Sequence, residues 1–315
     1  MKARSVFAFI AVGILWGSAW IPNSALLREI PSIRAGALRF AIAAAAVGLL
    51  VLVLRLRAGE IVTISRSTFK VALILGATGL ALPYALTAWA AGQVSSGTVA
   101  VLIAFLPLAA LLLSAEIASA AIPALVVGIG GVAFLVSTGV SLSAAQIKGA
   151  ALIASSVVSG AISLNYAKAH LRRADLLASV VVQFALAAVL LALLSAATER
   201  EQPAFWNRET RLSVLALGIA ISALTLPLMY WLLAECEAWQ VASLQWSATL
   251  VAVAESAWLL RARPSMEMWA GAVLIVGAII WLLRFSRRGP DTVTFQITNH
   301  TGDTSTASEF EVGSE

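Results

Sequence analysis

Glu255 is the one carboxylate that falls well inside a long apolar stretch, and Arg39 lies about 9 Å into another at a helical rise of ~1.5 Å per residue. A buried carboxylate can relay a proton or an ion, or simply bond a neighbouring helix. A buried guanidinium facing inward can hold a solute carboxylate, whereas one facing lipid snorkels to the interface. Polar and aromatic residues recur in other apolar stretches: Trp16, Ser18, Trp20 and Asn23; Tyr84 and Trp89; Asn165 and Tyr166; Tyr230 and Trp231; Gln245 and Trp246. Amide groups there can take an ammonium or carboxylate while the rings pack a side chain. Each has a plainer reading. Trp20, Trp89, Trp231, Trp239, Trp269 and Trp281 read as interfacial anchors, and Asn23 and Asn165 read equally as bonds between helices. Trp16 and Trp246 sit deeper, where lining a cavity and packing are open alternatives.

Catalysis is poorly served. His170 and His300 are the only histidines, and Asp175, Asp291 and Asp303 the only aspartates, none of them well inside an apolar stretch. A metal site or a Ser-His-Asp arrangement therefore lacks its parts, and no phosphate-binding loop ending in Gly-Lys-Ser or Gly-Lys-Thr occurs. Neither enzyme nor cofactor nor metal is expected; binding and conformational change remain.

The elements that must position these residues are membrane helices. With 60% hydrophobic and 12% charged residues, the chain has far too much apolar surface for a water-soluble fold. Ten apolar stretches, at 6–27, 33–54, 69–91, 94–115, 117–140, 149–169, 178–197, 212–234, 241–260 and 269–283, are each near the length that crosses hydrocarbon. The fourth and fifth join too closely to be one crossing, so a tight hairpin is expected at 116–119, with Glu116 a turn or packing element. The first is long enough to span, which predicts an uncleaved helix. The net charge of +5 lies in short clusters between stretches and so reads as a topology signal, with no nucleic-acid partner. Its modest bias places both termini in the cytoplasm. Cys236, the single cysteine, permits no intrachain disulfide.

Leu80-Ala-Leu-Pro83 in the third stretch returns as Leu224-Thr-Leu-Pro227 in the eighth, about half the apolar region later. A displacement of five crossings, an odd number, makes the second copy enter the membrane in the opposite sense. The expected fold is all-α and polytopic: ten transmembrane helices as two five-helix inverted-topology repeats around a central cavity, at 1–143 and 144–288. The segment 289–315, rich in Thr, Ser, Asn, Asp and Glu, reads as a disordered tail. Pro83, Pro107 and Pro227 interrupt crossings and suit hinges or static kinks. Gly13 and Gly17, Ala124 and Gly128, and Ser156 and Gly160 are small pairs that let helices approach.

Leu15-Trp16-Gly17-Ser18-Ala19-Trp20 resembles the opening motif of the EamA family within the drug/metabolite transporter superfamily. Leu38-Arg39-Phe40, Pro107 followed by Glu116, Glu237-Ala-Trp-Gln-Val-Ala-Ser-Leu-Gln-Trp246 and Arg263-Pro-Ser are similar to later family motifs, in family order. The likeness runs from about Val6 to Leu283. Thr249 and Ala262 stand where the family pattern carries a Pro and a Glu in its second half, which counts against a symmetric Pro or Glu pair. The resemblance implies ten helices around a cavity, small-metabolite substrates, often export of amino acids, and no ATPase domain.

The expected function is therefore secondary transport, as an exporter of small metabolites with amino acids, including aromatic or apolar ones, the leading class. Export of hydrophobic cations is the alternative and should need an acidic group such as Glu255; a membrane-embedded enzyme or structural partner is the reading from another class. The expected substrate-binding residues are Trp16, Ser18, Asn23, Arg39, Tyr84, Asn165, Tyr166, Tyr230, Gln245 and Trp246, with Glu255 the coupling candidate. Expected partners are a small solute and the lipid bilayer, in a bacterial inner membrane; a monomer is compatible with the sequence.

Overall fold

The computed structural model describes residues 3–59, 64–114, 118–136, 144–171, 176–259 and 265–285. Those residues are predominantly helical, with no strand among them. Glu116, Ala262 and the tail from 289 lie outside them.

Each expected crossing appears as helix. The first is broken at Ala19 into α1 (Ala3–Ser18) and α2 (Trp20–Glu29), and the second is α3 (Ser32–Ala58). The third joins α4 (Arg66–Leu75) through a π-helical segment, Gly76–Ala81, to α5 (Leu82–Ala90). The fourth comprises α6 (Ser96–Ile103) and α7 (Leu106–Leu112), and the fifth is α8 (Ile122–Val136). The second half follows with α9 (Ala144–His170), α10 (Leu176–Thr198), then α11 (Arg208–Leu215), a π segment Ala216–Ala223 and α12 (Leu224–Glu235). The ninth crossing is α13 (Ala238–Ala242) with α14 (Leu244–Leu259), and the tenth is α15 (Met266–Phe285). Eight described helices are long and apolar enough to cross a membrane. The fourth crossing, a shorter apolar helix over Gly97–Leu112, and the ninth, in two pieces, complete the order.

Local chemistry fixes the ends. The Ser65 and Ser95 hydroxyls each accept the backbone N–H three residues on, and Asn207 accepts from Thr210, so α4, α6 and α11 start on side-chain caps. At α13 the Glu237 side chain caps the N3 backbone while Gln240 returns to the Glu237 N–H. Gly59 ends α3 at φ 68°, a conformation that costs a glycine nothing.

The repeated prolines have a structural counterpart. Pro83 cannot donate to the Gly79 carbonyl, nor Pro227 to that of Ala223, and both carbonyls lie in π segments whose bonds run i→i+5. Thus the same device interrupts the third and eighth crossings.

Packing between halves is reciprocal. The first π segment packs on α10 and the second on α3; α5 packs on α9 as α12 packs on α1; α7 packs on α9 as α14 packs on α1. Crossings related by five places also pair directly, α3 with α10 and α8 with α15. This is the contact pattern of two like bodies about a pseudo-two-fold axis. Arg4, at the start of the first crossing, pairs with Glu235 at the end of the eighth at 3.3 Å. The N-terminus of α3 meets Glu199 beyond α10, the Ile33 and Arg34 N–H groups donating to its two oxygens at 2.8 Å each. The third crossing therefore ends on the face opposite the N-terminus and the eighth ends on the N-terminal face, which makes the repeat inverted.

Because hydrocarbon solvates apolar side chains, many large ones stay on the outside, Phe7, Leu49 and Val273 among them, while small residues let helices meet. Gly13 abuts Ser247 and Gly17 abuts Val251 where α1 crosses α14, and Gly131 and Gly271 bring α8 and α15 to backbone contact.

Candidate functional site

Helical periodicity assembles one polar cavity. Trp20, Asn23 and Leu27 share a face of α2; Ser32 and Arg39, two turns apart, share a face of α3; Tyr84, Thr87, Ala88 and Ala91 share a face of α5 and its end. These faces enclose about 260 Å³ on the side opposite the N-terminus.

Arg39 is the cation of this cavity. Its Nε donates to Ser222 Oγ at 2.6 Å, tying α3 to the second π segment, and its guanidinium carbon lies 5.9 Å from the Phe40 ring centroid. Phe40 in turn meets Tyr84 edge-on, centroids 5.6 Å apart at 72°. Gly36 permits this arrangement: a Cβ there would sit too close to Tyr84 Cε1 for any real contact. The Thr87 hydroxyl donates to the Pro83 carbonyl at 2.8 Å. Trp20 Nε1, by contrast, is buried without a hydrogen-bond partner. The lining holds one cation and no acid.

Beside it, Ser18 Oγ donates to Glu255 Oε1 at 2.5 Å, joining α1 to α14, while Glu255 Oε2 is buried with no partner.

A second, nearly closed vestibule lies on the N-terminal face, about 20 Å³, lined by Ala167, Lys168, Leu171, Leu176, Tyr230, Leu233 and Ala234. Pro83 and Pro227 are 144 residues apart, and the same offset carries Asn23, Leu27 and Ser32 of the open cavity onto Ala167, Leu171 and Leu176 of the closed one. The two spaces are thus equivalent places at opposite faces, of unequal volume. Lys168 seals the closed one: its Nζ donates to the carbonyls of Leu233 at 3.1 Å and Cys236 at 2.9 Å and lies 3.6 Å from Glu237 Oε1. Arg4 adds its pair with Glu235 and lies 5.6 Å from the Trp231 ring. Deeper, Tyr230 donates to Gln183 Oε1 at 2.6 Å, and Gln183 donates to Ser179.

Of the expected site residues, the open cavity gathers Asn23, Arg39 and Tyr84, and Ser18 and Glu255 meet each other. Tyr230 lines the closed vestibule. Others are held in packing. Trp16 Nε1 donates to Thr225 at 2.9 Å, and Asn165 Nδ2 donates to the carbonyls of Ala110 and Ala161. Trp246 is fully buried against Gly128, with its indole donating to Ala104 O where the fourth crossing breaks just before Pro107. Tyr166 stacks on His170 at 4.2 Å, and Gln245 is half-buried on α14.

Trp20, read from the sequence both among the polar and aromatic candidates and as an interfacial anchor, lines the cavity; Trp239, read as an anchor, is buried. Lys168, Gln183 and Glu199 were not singled out. Gln183 had a signal: Arg39-Phe40-Ala41-Ile42-Ala43-Ala44 returns 144 residues later as Gln183-Phe184-Ala185-Leu186-Ala187-Ala188, at the same offset as the prolines.

The sequence model of the EamA-like transporter family matches this chain twice, over residues 3–141 and 147–284. No curated protein matches the sequence. Among solved structures, one described only as a crystal structure of a protein superposes with a TM-score of 0.73 at 19% identity, covering 90% of this chain and 99% of that one, a likeness of fold.

Proposed function

This chain belongs to the EamA-like transporter family, and from that premise we propose that it carries a small metabolite across the bilayer by alternating access between its two equivalent vestibules. The supporting observation is the inequality of those vestibules, about 260 Å³ at one face and about 20 Å³ at the other, in places that the 144-residue offset interchanges. Exchange of their states carries a solute held near Arg39 past the plane of the π segments. The bonds to be exchanged are few: the Lys168 seal on one side against new contacts around Asn23 on the other.

Amino acids, aromatic or apolar ones included, are the leading solutes, with Arg39, Asn23 and Tyr84 as binding groups and the rings of Trp20 and Tyr84 as apolar walls. With both termini in the cytoplasm, the open cavity faces outward, and the working direction is export from a bacterial inner membrane. Glu255, whose Oε2 has no partner, is the coupling group of this scheme. Two five-helix units, 1–143 and 144–288, are the bodies that rock.

Proteoliposomes holding only this protein test the reading. Counterflow of labelled amino acids should be saturable, and should fall at least tenfold in Arg39→Gln and Tyr84→Phe with folding intact. Absence of flux across a broad metabolite panel in protein shown to be folded would reject it.

A further inference from the structure

The open cavity is chemically one-sided. Arg39 enters it from well inside α3, where an uncompensated charge is costly, yet among the described residues no carboxylate bonds it. Glu199 has both oxygens committed to Ile33 N, Arg34 N and Ser195 Oγ. Glu255 faces Ser18 instead. Ser222 satisfies only the Nε of Arg39.

Among the neutral groups, Trp20 leans the same way. An indole N–H is a donor and nothing else, and that of Trp20 is buried without an acceptor. Such an orphan is costly until an acceptor arrives. A cation and an unmet donor among the lining residues, with no acid there, favour an incoming group that is anionic and accepts hydrogen bonds.

We infer that this cavity is an organic-anion site: it takes a small solute by a carboxylate set against Arg39 and Trp20 Nε1, with the apolar body along Leu27, Ala88 and the Tyr84 ring, and it makes no contact that needs an ammonium group. The inference rests on the proposed reading of the cavity as the solute site and narrows its substrate class to monocarboxylates and the carboxylate end of amino acids. It also disposes of hydrophobic cations here, since a cation would enter a poorly screened space against the Arg39 charge.

The test compares four probes of similar size, 3-phenylpropanoate, 3-phenylpropanamide, 3-phenylpropylammonium and phenylalanine, binding to the purified full chain in lipid nanodiscs by titration calorimetry. The carboxylate should bind about ten- to a hundredfold tighter than its amide, with the ammonium weakest and phenylalanine no better than 3-phenylpropanoate. Arg39→Gln should erase the carboxylate advantage. That variant has a precedent in the molecule, because Gln183 occupies the equivalent place in the second half. Trp20→Phe, which removes only the orphan donor and little volume, should weaken the carboxylate severalfold and leave the amide less affected. Equal binding of amide and carboxylate, tightest binding of the ammonium, or a carboxylate preference that survives Arg39→Gln would overturn the inference. Intact carboxylate binding here, with no counterflow of any of these probes in proteoliposomes of the same protein, would overturn the transport reading and leave the anion site standing.

Discussion

Phe40 and Phe184 stack on each other with ring centroids 5.8 Å apart and planes inclined by 21°, and they are the same residue of the two repeats, 144 positions apart. Only residues beside a pseudo-two-fold axis can touch their own counterparts. The axis therefore passes between α3 and α10, one residue from Arg39 on one side and from Gln183 on the other. The polar asymmetry of the two halves begins at that step: a cation facing the open cavity, and an amide held by Tyr230 above the closed one.

This stack should register as a coupling energy. In a cycle of Phe40→Leu, Phe184→Leu and the double variant, unfolding in detergent should show a favourable interaction of about 0.5–1.5 kcal/mol between the rings. Strict additivity would mean that the stack contributes nothing beyond volume.

Cys236 is a built-in reporter of the closed vestibule. It is buried directly behind Lys168, which bonds its carbonyl. Burial pushes the thiol above its usual range, with Lys168 pulling part of the way back. The thiolate fraction, and with it maleimide labelling, should keep climbing as pH passes through the ordinary thiol range instead of levelling there. Lys168→Met should accelerate labelling by opening the seal. Losing the cation alone would slow it, because the thiol is then harder to ionise, so any acceleration measured at fixed pH understates the opening. Slower labelling in this variant at a pH high enough to ionise the thiol in both proteins, where accessibility alone sets the rate, would show that Lys168 is no seal.

The fifth and tenth crossings depend on Gly271. A Cβ there would sit 2.5 Å from Leu135 N and 2.6 Å from Gly131 O, both backbone atoms with little room to yield. Gly271→Ala should destabilise the protein by about 1–3 kcal/mol through overpacking. Gly277→Ala, on the same helix with open space around it, should be neutral or stabilise by a few tenths up to about 1 kcal/mol. Thermal unfolding of the two variants side by side decides the point.

Glu199 ties the halves at the open face by accepting from the first turn of α3 while Arg34 Nη2 donates to its carbonyl at 2.8 Å. Glu199→Gln keeps the shape and removes the charge. Stability should fall by about 1–3 kcal/mol, and the amides of Ile33 and Arg34 should exchange hydrogen faster than those deeper in α3. Unchanged exchange at both positions would place the carboxylate outside the end-cap role.

What the sequence determined is the membrane architecture. In hydrocarbon each crossing must satisfy its own backbone, so it announces itself as one long apolar run. The order of ten such runs and the Pro83 and Pro227 repeat across an odd number of them were enough to read two inverted halves. What only the tertiary structure decided is the turn of each helix about its own axis. These helices are apolar nearly all round, so no polar stripe in the sequence tells which face meets a neighbour. Trp246 and Asn165 proved to be spent on carbonyls of the fourth crossing, Trp20 faces the cavity, and Lys168 closes the far side. Those outcomes follow from contacts between residues more than fifty positions apart, settled by close packing at small residues rather than by any local pattern.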